Sequence, residues 1–197
     1  MVLPEAGNES SLPEGFGVRL PEGANVVIQS HYINYTDQEM RVRDVVHLGW
    51  FEEGEEAIEA SYLILNHGAL DIEPGDSSVS VGCGLPGVDR EYGVLSLFGH
   101  MHEHGSGIVI GSDRGDGSEE LYRIDEWRVS YRDFPPITEW SPDDPLLLRS
   151  GDGFSVTCSY RNTTGANLRF PEEMCSAVAL YYPATEEGIV VCDDPVR

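Results

Sequence analysis

The chain has 197 residues, with 22 glycines and 12 prolines, and its 35 acids against 12 bases give a formal charge of −23. Every base is arginine, and so acidic a surface excludes nucleic acid and anionic membrane as expected partners. No apolar run approaches the ~20 residues of a membrane span. The acid excess without lysine fits either a saline habitat or divalent-cation binding, and the acids are scattered rather than grouped as in an EF-hand loop.

Residues 1–15 read as a flexible lead-in without the basic and apolar regions of a secretion signal, so the signal of an exported protein would have been removed or would lie outside this sequence. "FGVRL" and "ANVVIQSHYINY" read as strands separated by the turn "PEG", and "RVRDVVHLGWF" as another strand before the acidic loop at 52–58. "ASYLILNHGALDI" leads through the turn "EPGDSS" to the strand "SVSVGCGL". "YGVLSLFGHMHEHGSGIVIGS" reads as one long extended stretch, with Gly99, Gly105 and Gly107 permitting bends or bulges. "ELYRIDEWRVSYR", "PLLLRSGDGFSVTCSYRN" and "CSAVALYYPA" complete about ten short strands joined by Gly/Pro/Asp turns, which predicts an all-β antiparallel jelly-roll β-sandwich.

Three of the six histidines, His100, His102 and His104, stand at every second position within five residues. On a strand, residues i and i+2 leave the same face about 6.5–7 Å apart, so two imidazoles at that spacing can converge on one metal ion. His100 and His102 form a natural pair, and His104 joins them only if the strand continues past Glu103. The alternative is three exposed histidines on a solvent-facing strand. His47 and His67 read as ordinary strand or turn residues. The four cysteines, at 83, 158, 175 and 192, form no C-x-x-C pair. Their even number and wide spacing suggest two disulfides and an oxidising compartment, with four buried thiols as the alternative.

"VTCSYRNTTG" (156–165) and "FPEEMCSAVALYYPA" (170–184), taken with the histidine pair, resemble the catalytic half of the copper type II, ascorbate-dependent monooxygenases, such as peptidylglycine alpha-hydroxylating and dopamine beta-monooxygenase. The resemblance runs from about Gly15 to Cys192. It implies an oxygen-activating copper held by His100, His102 and Met174, with His104 a candidate fourth ligand. Two imidazoles and a soft thioether suit Cu(I). It also implies disulfides Cys158–Cys175 and Cys83–Cys192.

The resemblance further implies a division of the chain. Residues 16–52 resemble the closing strands of the family's N-terminal jelly roll, and 53–197 its C-terminal copper-binding jelly roll. His31 matches one ligand of the family's second copper site, but the adjacent His-His pair that completes that site is absent from this chain. Where the family grips a peptide carboxylate, this chain has Phe98, Ser176 and Val178, so peptidylglycine is not the expected substrate.

Two functions follow as expectations. One is the oxygen-activating domain of a monooxygenase that hydroxylates an aliphatic C–H of a small-molecule substrate. It would use ascorbate or another reductant and an N-terminal half or second chain, outside the cell or in the periplasm. The other is a non-catalytic copper-binding or copper-carrying β-sandwich.

Overall fold

The protein is described by a computed structural model covering residues 12–25, 27, 34, 36–84, 91–114, 117–149, 151–185 and 188–192. It is an all-β sandwich. In chain order the strands are β1 (Phe16–Val18), β2 (Ile58–Asn66), β3 (Asp71–Ile72), β4 (Gly75–Gly84), β5 (Tyr92–His100), β6 (Gly105–Arg114) and β7 (Gly117–Ile124). They continue as β8 (Thr138–Glu139), β9 (Leu146–Leu148), β10 (Gly153–Asn162), β11 (Leu168–Arg169), β12 (Ser176–Tyr182) and β13 (Val190–Cys192). Apart from one turn of 3-10 helix at Val129–Arg132, the described residues contain no helix.

One layer orders its strands β1-β2-β12-β5-β8, with β13 on β2 and β9 on β5, and the other orders them β4-β10-β6-β7. β10 shows why the sequence chooses this form. In "GFSVTCSYRN" every second residue is buried (Phe154, Val156, Cys158, Tyr160, Asn162), the period-2 pattern of a strand with one face on a core. Facing it, Leu63, Leu65, Val94, Leu97, Ala177, Ala179 and Tyr181 close the core from the first layer.

β5 departs from simple alternation. Leu180 lies opposite Ser96 while Tyr181 lies opposite Val94, which leaves Leu95 as an extra residue in a bulge. Tyr92 and Val94 point into the core before the bulge, and Leu97 and Met101 do so after it. Leu95 instead packs with Phe16, Ala60 and Leu180 on the outer face. The bulge reverses the phase and carries Phe98 and His100 outward.

Both layers are cross-linked. Cys83 on β4 joins Cys192 on β13, and Cys158 on β10 joins Cys175 just before β12, in the pairing that the family resemblance implies. Two disulfides fit an oxidising environment. The chain-entropy model gives about 3 kcal/mol for a short loop and nearly 5 kcal/mol for one of about 100 residues. The two bridges close separations of 17 and 109 residues. The Cys83→Ser/Cys192→Ser double variant should therefore lose more stability in urea unfolding than Cys158→Ser/Cys175→Ser.

The N-terminal part differs from expectation. Among the described residues of 16–52 the only strand is β1, which pairs in parallel with β2 from Phe16↔Ile58 to Val18↔Ala60. "RVRDVVHLGWF" is described throughout and forms no strand, with Val42, Val45, Val46, Leu48 and Trp50 exposed. Its β-branched content suits a strand, but it makes no ladder with the first sheet, although the Phe51 ring lies against Gly17 of the edge strand β1. "ANVVIQSHYINY", including His31, falls mostly outside the described residues.

Arginines 19, 123, 132, 149, 161 and 169 make exposed ion pairs, which offset little of a −23 charge. Screening shortens from about 10 Å at 0.1 M salt to about 3 Å at 1 M. Thermal unfolding should accordingly show a rising melting temperature as KCl is raised from 0.1 to 1 M. An unchanged value would mean that the charges are spaced beyond mutual repulsion.

Candidate metal centre

The histidine motif lies where the chain leaves one layer for the other. β5 belongs to the first sheet and β6 to the second, and residues 101–104 bridge them. The stretch predicted as one extended strand is therefore two strands and a turn. The break has a packing cause: Met101, fully buried, plugs the core at the crossing. A Cβ at Gly105 would stand 2.7 Å from Met101 Cε and 3.0 Å from Trp127 Cδ1, so any larger residue would force Met101 and Trp127 to shift. Trp127 Nε1 donates to the His102 carbonyl at 2.8 Å and fixes the turn from below.

His100 ends β5 on its outer face, and His102 follows within the turn. Their rings meet edge to face with centroids 5.2 Å apart. His102 Nδ1 bonds the Glu172 carbonyl at 3.0 Å. Burial, helped by the neighbouring His102, holds the His100 pKa below the usual imidazole range. His100 is thus neutral at pH 7, as a metal ligand must be. With Nδ1 of His102 held by a main-chain carbonyl, its other ring nitrogen keeps a lone pair for an ion, the usual outer support of a ligating histidine.

Glu173 joins this turn to the segment carrying Met174. Its side chain is fully buried. Oε1 accepts from the main-chain nitrogens of His102 and, at 3.1 Å, Met174, while Oε2 accepts from that of His104 at 2.9 Å. One carboxylate oxygen therefore ties the backbone of His102 to that of Met174. Tyr160 adds a second tie, its hydroxyl donating to the Met174 carbonyl at 2.7 Å. Burial raises the Tyr160 pKa, so the phenol stays protonated and remains a donor. The Cys158–Cys175 bridge anchors the next residue to β10.

The structure thus brings His100, His102 and the Met174 segment together, and it turns His104 elsewhere. His104 Nε2 lies 3.4 Å from Glu103 Oε1, and its side chain lines a cavity of about 740 Å³ with Trp127 and Arg161, away from His100. His47 is exposed in residues 41–51, which form no strand. His67 lies next to Cys175, donating its main-chain N–H to the Cys175 carbonyl, and its Nδ1 is buried without a hydrogen-bond partner. Ser176 sits opposite His100 and Val178 opposite Phe98. Sequence reasoning missed Glu173 altogether. The only available signal was an acid two residues before a cysteine, just ahead of an apolar strand, and its exposed neighbour Glu172 carries almost the same signal.

Among the described residues no three His, Cys, Asp or Glu side chains form a metal-binding group. A copper ion here would depend on two imidazoles and a thioether, which is a donor set that fits Cu(I).

The fold and this turn define a disulfide-linked all-β sandwich with paired imidazoles at the crossing between its layers. No family model and no curated protein matches the chain. Among solved structures, the Yersinia pseudotuberculosis-derived mitogen is similar at a TM-score of 0.32 and 15% identity, covering 70% of this chain and 97% of that one. The structure of infectious bursal disease virus Gx strain is similar at 0.28 and 6% identity, covering 73% of this chain and 38% of the viral one.

Proposed function

We propose that this chain is the oxygen-activating, copper-binding domain of a copper- and reductant-dependent monooxygenase that hydroxylates an aliphatic C–H. The observation that supports it is the paired imidazoles 5.2 Å apart, tied to the Met174 segment by one buried carboxylate. His100, His102 and Met174 would hold the metal. Bound copper supplies one-electron redox chemistry and activation of dioxygen. The protein's part is positioning. The Glu172 carbonyl fixes the His102 ring, Glu173 and Tyr160 hold the Met174 segment, and burial favours the neutral form of His100. Ascorbate or another reductant would supply electrons through an N-terminal half or second chain, and the two disulfides support a location outside the cell or in the periplasm.

The test is metal analysis with X-ray absorption on the reduced protein. One copper per chain with two nitrogen ligands and one sulfur ligand is expected. Absence of stoichiometric copper would overturn the reading, and a sulfur-free site would remove Met174 from it. Given ascorbate and oxygen, the isolated chain should show no sustained hydroxylation, because the partner's electron-transfer site is absent. Stoichiometric copper without oxygen consumption, even with the partner half supplied, would assign the chain as a copper carrier instead.

A further inference from the structure

The outer face of the second layer is uncharged at its centre, in a chain of which 24% is charged. On β10 the buried residues alternate with Ser155, Thr157 and Ser159, which therefore face outward. The registers extend them into three rows across β4, β10 and β6: Ser78–Ser159–Gly107, Ser80–Thr157–Val109 and Gly82–Ser155–Gly111. Of these nine residues five carry hydroxyls, three are glycine and only Val109 is apolar. The Ser80 and Thr157 hydroxyls meet at 2.8 Å, which orients both and leaves each with further hydrogen-bonding capacity. Contact with water alone gives no reason to keep acids off this face, in a chain that carries 35 of them.

At the β6 end the rows run into the cavity of about 740 Å³ that His104 lines. Ser106, Ser159 and Thr163 bring hydroxyls to it, and Gly105 and Gly107 line it without side chains. The volume falls within the range of roughly 300–1,000 Å³ typical of small-molecule sites. Its charged lining is nearly balanced, with Glu103, Asp125 and Glu126 against Arg123 and Arg161. Both arginines are already paired, Arg123 with Glu120 and Asp125, and Arg161 through Nε with Asp76 at 3.1 Å. An anion therefore finds no unbalanced positive charge, and among the described residues no three acids or histidines group to hold a metal ion. A second copy of the chain fits poorly as well, because interface cores are apolar and aromatic and depleted in serine.

We propose that this cavity and the hydroxyl rows leading from it bind a neutral saccharide of two or more sugar units. A sugar hydroxyl both donates and accepts, and so does a serine or threonine hydroxyl, so the two match in either sense. Arg161, with only Nε on Asp76, keeps its terminal N–H groups to donate to sugar oxygens. Val109 and Trp127 supply the small apolar contact that a sugar's C–H groups need. From β6 to β4 the rows cross two strand spacings, about 10 Å, which gives room beyond a single ring. Neither His100 nor His102 lines the cavity, so the inference stands apart from the copper reading.

The experiment titrates cellobiose, maltose and N,N′-diacetylchitobiose into the metal-free protein in about 1 M KCl, where screening confines charge effects to about 3 Å. Calorimetry measures affinity, and amide NMR shifts locate the site. Saturable binding of at least one of the three is expected, with the largest shifts around Gly107 and Ser159. Cellobionate and the deacetylated, cationic chitobiose should bind at least tenfold more weakly than the tightest neutral sugar. Arg161→Ala truncates an exposed side chain, so it should keep the parent fold while weakening binding at least threefold. Ser159→Leu fills the cavity mouth and should weaken binding at least tenfold. Glu139→Ala, on the other layer, should leave affinity within twofold. Absence of saturable binding by all three sugars, equal affinity for the charged ones, or shifts centred elsewhere would overturn the proposal. So would insensitivity to both cavity substitutions, or a dimer that buries this face and that the sugars fail to dissociate.

Discussion

Glu173→Ala should lower the melting temperature by about 10 °C. The carboxylate is fully buried and accepts main-chain hydrogen bonds from His102, His104 and Met174. Bonds to an ionised acceptor contribute about 1.5–3 kcal/mol each, and removing the acceptor leaves buried donors unpaired. The truncation should cost about 3–5 kcal/mol, and a chain of this size loses about 2–4 °C per kcal/mol. Glu173→Gln keeps the volume but turns an NH₂ group toward a main-chain N–H, so an intermediate loss is expected. Glu172→Ala removes only an exposed carboxylate and should stay within about 0.5 kcal/mol. A Glu173→Ala melting temperature equal to that of the parent would mean that water or a rearranged turn satisfies all three donors. Glu173→Gln should also bind copper about 10–100-fold more weakly, as is usual when the outer support of a metal ligand is lost.

His100→Ala and His102→Ala should each abolish stoichiometric copper binding, measured by equilibrium dialysis with a competing chelator. One imidazole and one thioether leave too few donors for a tight site. Met174→Leu is close to volume-conserving and should cost under about 1.5 kcal/mol of stability. It should nevertheless weaken Cu(I) far more than Cu(II), because the thioether is the soft ligand. Equal losses for the two oxidation states would remove Met174 from the ligand set. His104→Ala should retain copper within a few-fold, since its ring packs on Glu103 in a separate cavity. Loss of copper in that variant would show that the turn rearranges on binding.

The all-β architecture was legible in the sequence because its signals are local. Alternation in "GFSVTCSYRN" and the Gly/Pro/Asp turns act within a few residues, and β10 follows them. The disulfide pairing and the proximity of the Met174 segment to the histidines were legible only through a family resemblance, since spacing alone leaves three connectivities open. "RVRDVVHLGWF" was misread because strand propensity states what a segment suits, not whether a neighbouring edge takes it into a ladder. His31 lies outside the described residues.

The sequence by itself determined a pair of imidazoles at strand spacing, four widely spaced cysteines and a strongly acidic composition. Three features were decided only by the tertiary structure. The bulge at Leu95 sets the phase of β5, and it exists because β12 and β5 slip by one residue at Leu180/Tyr181. Simple alternation from Tyr92 and Val94 would have aimed His100 into the core. The crossing between layers at 101–104 depends on Met101 filling the core and on the space left at Gly105. Glu173 differs from Glu172 only in the three main-chain donors that surround it, two of which come from a turn about 70 residues away in the chain. A local pattern cannot encode donors that distant, because they meet the carboxylate only once the two layers have packed.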